Sequence, residues 1–356
     1  MKSTRPLTIS AQFGLVDQTE FFKKSVAGAD LSNYYLLSKG EFAYNKSYSD
    51  GYPLGAIKRL DRYDAGVLSS LYICFVPKPY MSSDYLVQYF ESTKWNQVVK
   101  DISGEGARNH GLLNVPVTGF FETQHYIPKR DEQEKLGAFL TLIEKRIATQ
   151  SKIIEELMTL GSALTEKCSR QAGTLFSLAD ILEETDERST VVNQYQVLSS
   201  TVKGIFSQKE YFNKDIASED NKGYKVLRRG NVVLSPQNLW MGNINYNNRF
   251  DVGIVSPSYK IYSIKKGFNP TFIAALLKTK RALYEYMLAS EQGASVVRRN
   301  LNVEAFMGIT FRIPNAYQQE VLSKAIAAID SKLSNELAIF EQLQLQKGSL
   351  LENMFI

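Results

Sequence analysis

Downstream of Pro128 the apolar positions settle into a regular pattern. Leu136, Leu140, Ile143, Ile147, Gln150, Ile154, Leu157, Gly161 and Leu164 follow one another at steps of four and three residues, the a/d seam of a coiled-coil helix. Near the C-terminus Leu322, Ile326, Ile329, Leu333, Glu336, Phe340, Leu343, Lys347 and Leu350 repeat the same steps. The polar interruptions share slots, Gln150 with Glu336 and Gly161 with Lys347. Two such seams on one chain predict helices that pack on each other, antiparallel if their globular parts sit at opposite ends. Each helix of ~30–35 residues would span about 45–50 Å at 1.5 Å per residue. Elsewhere the pattern is short β-rich runs punctuated by Gly, Pro and Asn, at 34–45, 67–75, 223–235 and 259–264. Two further helices are predicted, over 83–99 and 270–288. The class is α+β, with two mixed globular domains joined by long helices.

The two halves are copies of one unit. GLVDQTEFF at 14–22 matches GIFSQKEYF at 204–212, an offset of 190. Tyr34, Leu37 and Gly40 fall on Tyr224, Leu227 and Gly230 at that offset. GVLSSLYICF (66–75) then meets GIVSPSYKIY (253–262), and Gly106-Ala107 meets Gly293-Ala294, both at 187. Leu113-Asn114-Val115 matches Leu301-Asn302-Val303, Ile127-Pro128 matches Ile313-Pro314, and 131–147 parallels 317–333. Matches this numerous, in one order, with an offset drifting only from 190 to 186, mark a duplication and not chance.

Composition narrows the function. A chain of 356 residues with 44% hydrophobic and 22% charged residues is long enough for two domains and is typical of globular proteins. No apolar run approaches the roughly 20 residues of a membrane helix, and the opening MKSTRPLTISAQFG has no signal-peptide core. Cys74 and Cys168 are the only cysteines, so a disulfide framework is not expected and a reducing cytoplasm is. The net charge of +5 permits a polyanionic partner without requiring one.

Catalytic signatures are missing. The only histidines are His110 and His125, with no Cys/His cluster and no counterparts in the second copy, so no zinc site is expected. No phosphate loop of the G-x-x-x-x-G-K-[ST] type occurs, and Gly104-Glu105-Gly106 reads as a turn. Asn269-Pro270-Thr271-Phe272 superficially resembles the Asn-Pro-Pro-aromatic motif of amino methyltransferases. It opens a predicted helix, where Asn as N-cap and Pro at N1 are expected on local grounds. The chain is expected to carry no catalytic site and no metal.

Residues 221–250 hold five basic side chains and no acidic one. Their loop adds Gln237, Asn238, Trp240, Asn243, Asn245, Asn247 and Asn248. Amides can pair bidentately with adenine and arginines with guanine, while basic groups hold phosphates. The first copy offers Asn45, Lys46, Ser47 and Tyr48, then Lys58, Arg59 and Arg62. Arg108-Asn109 and Arg298-Arg299 follow the shared Gly-Ala turn in the two copies. The DNA-reading candidates are therefore Lys46, Tyr48, Arg59, Arg62, Arg108, Asn109, Gln237, Asn238, Trp240, Asn243, Asn245, Arg298 and Arg299. Asn-rich loops are also ordinary turn formers, so a reading without DNA stays open at each.

The chain resembles the specificity subunits of type I restriction–modification systems. The likeness rests on YYLLSKGEFAYN and GYKVLRRGNVVLS, on GVLSSLY and GIVSPSY, on IPKRDEQEKLGAFLTLIEKRI and IPNAYQQEVLSKAIAAIDSKL, and on the closing LLENMFI. It implies two target recognition domains, 1–128 and 169–314, followed by spacer helices 129–168 and 315–356. It implies a bipartite double-stranded DNA target, read one half per domain, with half-sites around one helical turn (~34 Å) apart. It further implies two methyltransferase subunits seated on the helix seam and restriction subunits in a larger complex. S-adenosylmethionine, ATP and Mg²⁺ would belong to those partners, with no cofactor in this chain and no membrane. One departure stands out: residues 171–194 precede the second copy, and nothing equivalent precedes the first, which begins about where Tyr195 lies. The first domain is thus expected to be truncated, altered by recombination or completed by another polypeptide. A pseudo-symmetric scaffold that binds protein and no DNA is the alternative from another class.

Overall fold

The computed structural model describes residues 5–24, 26, 30–104, 113–208, 210, 221–292 and 299–355. Arg108, Asn109, His110 and Arg298, and the Gly-Ala turn in each copy, lie outside them. The chain divides into two compact units, residues 1–152 with 338–356, and residues 153–337. Each long helix contributes one part of its length to each unit.

Unit 1 runs β1 (Leu7–Ser10), β2 (Gly14–Asp17), α1 (Gln18–Phe22), β3 (Tyr35–Ser38), β4 (Phe42–Asn45), β5 (Ala56–Arg59), β6 (Ala65–Leu68), β7 (Ile73–Phe75), α2 (Ser83–Glu91), α3 (Asn96–Ile102), α4 (Val117–Glu122) and the long α5 (Arg130–Cys168). β1 and β2 form a hairpin, β3 pairs with β6, and β5-β4-β7 make a sheet. The runs 35–45 and 65–75 therefore zip together antiparallel as two short ladders, Leu37 opposite Gly66 and Ala43 opposite Cys74. A core of Phe42, Tyr44, Ile73, Tyr85, Tyr89, Phe90, Trp95 and Phe120 lies between the sheet and α2 to α4.

Unit 2 adds β8 (Thr174–Ser177), α6 (Leu178–Ile181) and β9 (Leu182–Thr185), then repeats the series. It continues β10 (Leu198–Thr201), β11 (Gly204–Ser207), β12 (Lys225–Arg228), β13 (Asn231–Leu234), β14 (Ile244–Tyr246), β15 (Val252–Val255), β16 (Lys260–Ile264), α7 (Pro270–Leu276), α8 (Lys280–Leu288), β17 (Ser290–Gln292), β18 (Arg299–Leu301), α9 (Val303–Met307), β19 (Thr310–Ile313) and α10 (Ala316–Asn353). Its main sheet is β14-β13-β16-β9, and β19 pairs with β8. The class is α+β, as the sequence predicts.

The duplication extends to single contacts. In unit 1 the buried Gln133 accepts a hydrogen bond from the Ser82 N–H and donates to the Pro128 carbonyl. Gln319 makes the same pair in unit 2, with Asn269 and Pro314. A Cβ on Gly66 would meet the Leu7 side chain at 2.3 Å, and one on Gly253 would meet Leu198 at the same distance. The strand hairpins can pack this closely on β6 and β15 only because those positions lack side chains.

At 39 and 38 residues both long helices exceed the length expected from the seam alone, and the two pack on each other along it. In unit 1, Leu136, Leu140 and Ile143 pack with Leu350, Leu351 and Phe355, and Lys347 reaches the Glu144 carboxylate at 2.7 Å. In unit 2, Leu164 packs with Leu322 and Ile326, and Gly161 lies against Ile329. Early α5 residues meet late α10 residues and the reverse, so the helices run antiparallel. Leu140, Ile326 and Leu343 are buried, while Ile143, Ile147, Ile154, Leu157, Ile329, Leu333 and Phe340 are half-buried, as expected for a two-helix seam open at its flanks.

The helices expected over 83–99 and 270–288 are each two helices. In unit 2, Thr279 caps α8 through the Ala282 N–H and breaks the run. In unit 1, the Ser92 hydroxyl turns back to the Tyr89 carbonyl, and the Trp95 indole donates to the Phe90 carbonyl. Among the described residues no helix is long and apolar enough to cross a membrane.

Candidate nucleic-acid interface

In unit 2 the loop after β13 turns through a short 3₁₀ segment, Leu239–Met241. Its C-cap Gly242 has φ 93°, a left-handed conformation that glycine adopts without strain. Leu239 is buried and anchors the turn, while Gln237 and Met241 are exposed and Trp240 half-buried. The β17–β18 hairpin comes alongside: the Arg299 N–H donates to the Gln237 carbonyl at 3.1 Å. The Arg299 guanidinium donates to the Ser290 carbonyl and lies 5.8 Å from the centre of the Trp240 ring. Its Nε is buried and has no hydrogen-bond partner. Gln237, Trp240 and Arg299, scattered in sequence, thus form one surface of amide, indole and guanidinium.

The turn is held from behind by Lys278, whose ammonium donates to the Gly242 carbonyl at 2.8 Å. Burial lowers its pKa from the usual lysine range to about 8. Lys278, Ser290 and Met241 were not among the sequence candidates. Met241, beside Trp240 and just before a glycine cap, carries the one local signal that could have singled it out.

Unit 1 shows the same loop pairing in different chemistry. The Leu113 N–H donates to the Lys46 carbonyl, so the segment leading into α4 again lies beside the loop after β4. That loop presents Lys46 half-buried and Tyr48 62% exposed. Arg59 and Arg62 do not join them. Arg59 pairs with Phe42, at the opposite end of β4 from Asn45, and its guanidinium is spent on Asp61, Ser83 and Asp84 at 2.7–2.9 Å. Arg62 is exposed, 3.9 Å from Glu20. Arg59 is therefore better read as a strut between β5 and α2 than as a DNA contact.

Two more candidates take a structural role. Asn243 and Asn245 are only 4% and 7% exposed. Asn243 accepts from the Ser200 hydroxyl and donates to the Ser200 carbonyl. Asn245 donates to the Ser200 hydroxyl and the Thr201 carbonyl. These amides bind β10 to the sheet, and their burial keeps them from a base edge. Asn247 is fully buried and closes its own turn onto Phe250. Asn238 acts through its backbone, accepting from the Met241 and Asn243 N–H groups.

The basic stretch 221–250 is largely neutralised by acids from elsewhere in the chain. Arg228 grips Glu187, Arg229 bonds Asp251, Arg249 bonds Glu210 and Lys225 reaches Asp186 at 3.0 Å. The Arg228 hydrogen bonds hold the Glu187 carboxyl below its usual range. No broad cationic patch results there.

The catalytic motifs resolve as local structure. Asn269 accepts from the Thr271 and Phe272 N–H groups with Pro270 in the first turn, so it is a helix cap. His125 bonds the Tyr89 hydroxyl and Thr123, and burial lowers its pKa. Among the described residues no three His, Cys, Asp or Glu side chains cluster to hold a metal.

No family model matches the sequence, and no curated protein matches it. Solved structures do. A type I restriction–modification S subunit from M. genitalium is similar over 91% of this chain and 85% of its own, with a TM-score of 0.55 at 12% identity. A chain from a structure on complex assembly and conformational transition of the type I R-M system is similar over 92% of this chain and 83% of its own, with a TM-score of 0.52 at 11% identity. The fold of this chain is that of type I S subunits.

Proposed function

We propose that this chain is a DNA-reading specificity subunit. It recognises a bipartite duplex target, one half through each unit, and directs adenine methylation by two modification subunits and cleavage by restriction subunits. The observation that carries the reading is one frame built twice, with the same loop pairing presenting different side chains: Gln237, Trp240 and Arg299 in unit 2, Lys46 and Tyr48 in unit 1. A matched frame with unmatched loops is what two half-sites require. Arg108, Asn109 and Arg298, which lie outside the described residues, are proposed as DNA contacts on their sequence alone. Amide and guanidinium groups on such a surface read base edges, and the aromatic faces stack or pack on sugar and thymine methyl groups.

The chain itself supplies positioning and no chemistry. S-adenosylmethionine, ATP and Mg²⁺ are proposed to bind the partner subunits, and the complex is proposed to work in the cytoplasm. The exposed apolar residues on the outer faces of the helices suit partner docking: Leu142 and Leu345 in unit 1, Met158 and Leu160 in unit 2.

Duplex binding measured against salt tests this. A reader with several phosphate contacts loses affinity linearly in log–log form, by roughly 10³-fold or more between 50 and 200 mM salt for six or more contacts. A protein-binding scaffold would bind no duplex even at low salt.

A further inference from the structure

The sister units differ at one sheet edge. In unit 2 the outer side of β16 is covered by β9, from Ile261 opposite Thr185 to Ile264 opposite Leu182. Lys265 continues the ladder, its N–H donating to the Ile181 carbonyl. β8 covers β19, and α6 joins the two covering strands. Leu178, Ile181 and Leu182, at most 1% exposed, close the core over Tyr262, Phe306 and Phe311.

In unit 1, β7 ends its sheet, and among the described residues no strand lies beyond it. The offset of 187 puts Cys74, Phe75 and Val76 in the places of Ile261, Tyr262 and Ser263. Residues 124–127 take the place of β19 and form no strand. The core beneath is correspondingly open. Phe75 is half-buried where Tyr262 is fully buried. It packs on Phe121, which is 57% exposed, beside Val76 at 64%. His125 stands where unit 2 has the buried Phe311. Unpaired strand edges beside exposed aromatic groups recruit other chains.

We propose that this edge is a docking site for a strand–helical turn–strand segment with the pattern of residues 174–185, and that it accepts such a segment supplied in trans. In unit 2 that segment occupies the sister edge. The edge defines the occupant. Apolar residues at the places of Leu178, Ile181 and Leu182 cover Phe75 and Phe121. A glycine precedes the first strand, because a Cβ on Gly173 would lie 2.0 Å from the Ile313 carbonyl oxygen, and Ile127 takes that place in unit 1. An acidic residue belongs at the place of Asp180, whose carboxyl is held low by the Ser177 hydrogen bonds with help from Lys265. Lys78 stands in the place of Lys265, exposed and without an ion pair among the described residues.

The test uses the full chain and a labelled peptide of residues 171–187, without DNA, so its outcome is independent of target reading. The expected result is saturable binding by fluorescence anisotropy, with new hydrogen-exchange protection at Cys74 and Val76 and across 124–127. Val76→Pro removes one outward N–H and Phe121→Ser removes an exposed contact; each is expected to weaken binding by roughly tenfold or more. A peptide with Leu178, Ile181 and Leu182 all changed to Asp is expected not to bind. The exchange footprint on the unaltered chain decides the matter even if a variant fails to fold. No binding up to the peptide's solubility limit, or protection at 310–313 in place of 124–127, would overturn the proposal.

Discussion

Asn243→Ala separates framework from reading surface. The change removes an acceptor for the Ser200 hydroxyl at 2.8 Å and a donor to the Ser200 carbonyl at 2.9 Å. The carbonyl keeps the Tyr259 hydroxyl at 3.2 Å, and the Ser200 oxygen keeps the Asn245 amide, so neither atom is wholly stranded. Two buried hydrogen bonds at about 1 kcal/mol each, with the desolvation of a partly unmatched hydroxyl, give a loss of roughly 2–4 kcal/mol. Unit 2 spans 185 residues (153 to 337, inclusive), a size at which 1 kcal/mol shifts the melting temperature by about 2–4 °C. Differential scanning calorimetry of the full chain is therefore expected to show the unit 2 transition falling by roughly 4–16 °C, with unit 1 unmoved. Gln237→Ala, at an exposed position, is expected to stay within about 0.5 kcal/mol of the parent. An Asn243→Ala protein with unchanged melting but lost half-site recognition would overturn the framework role, since the amide would then be reading DNA and not holding β10.

Other positions give contrasting expectations. Gln237→Ala and Trp240→Ala are expected to relax one half-site by roughly 1–3 kcal/mol in competition binding and leave the other untouched; equal loss at both halves would mark these residues as structural. Leu140→Ala, at a fully buried seam position, is expected to cost about 2–5 kcal/mol in denaturant unfolding; a cost below about 1 kcal/mol would mean the seam is not packed there. Lys278 makes a pH prediction. Its folded pKa of about 8 lies below the free value of 10.5, so the unfolded chain binds more protons between those values and stability rises with pH across that window. Lys278→Met is expected to flatten the rise between about pH 8 and 10.5; an unchanged slope would show that the ammonium is not desolvated.

Much of this fold could be read from the sequence because its strongest features are periodic or local. The seam needed only step counting, and the Asn269 cap needed four adjacent residues. The duplicated frame emerged because its matched residues, such as Gly66 with Gly253, are fixed by close contact inside each unit. The reading surface was less legible, since its chemistry depends on partners remote in sequence. Asn243 and Asn245 look like Gln237 until Ser200 and Thr201 are placed beside them. Arg228 and Arg249 look free until Glu187 and Glu210 arrive. Arg59 likewise looks like a phosphate contact until α2 brings Asp84 to it. The breaks that split each expected helix in two turn on hydroxyl caps and a buried indole, which the apolar pattern alone passes over.

Whether this chain directs modification to a split target is read by mapping adenine methylation across a genome. The chain is co-expressed with type I modification subunits in a host lacking such a system, with and without Gln237→Ala. Methylated adenines are expected at one split motif with a fixed gap, present only when this chain is present, and degenerate in one half alone for the variant. Methylation that appears without this chain, or none with it, would rule out a specificity subunit.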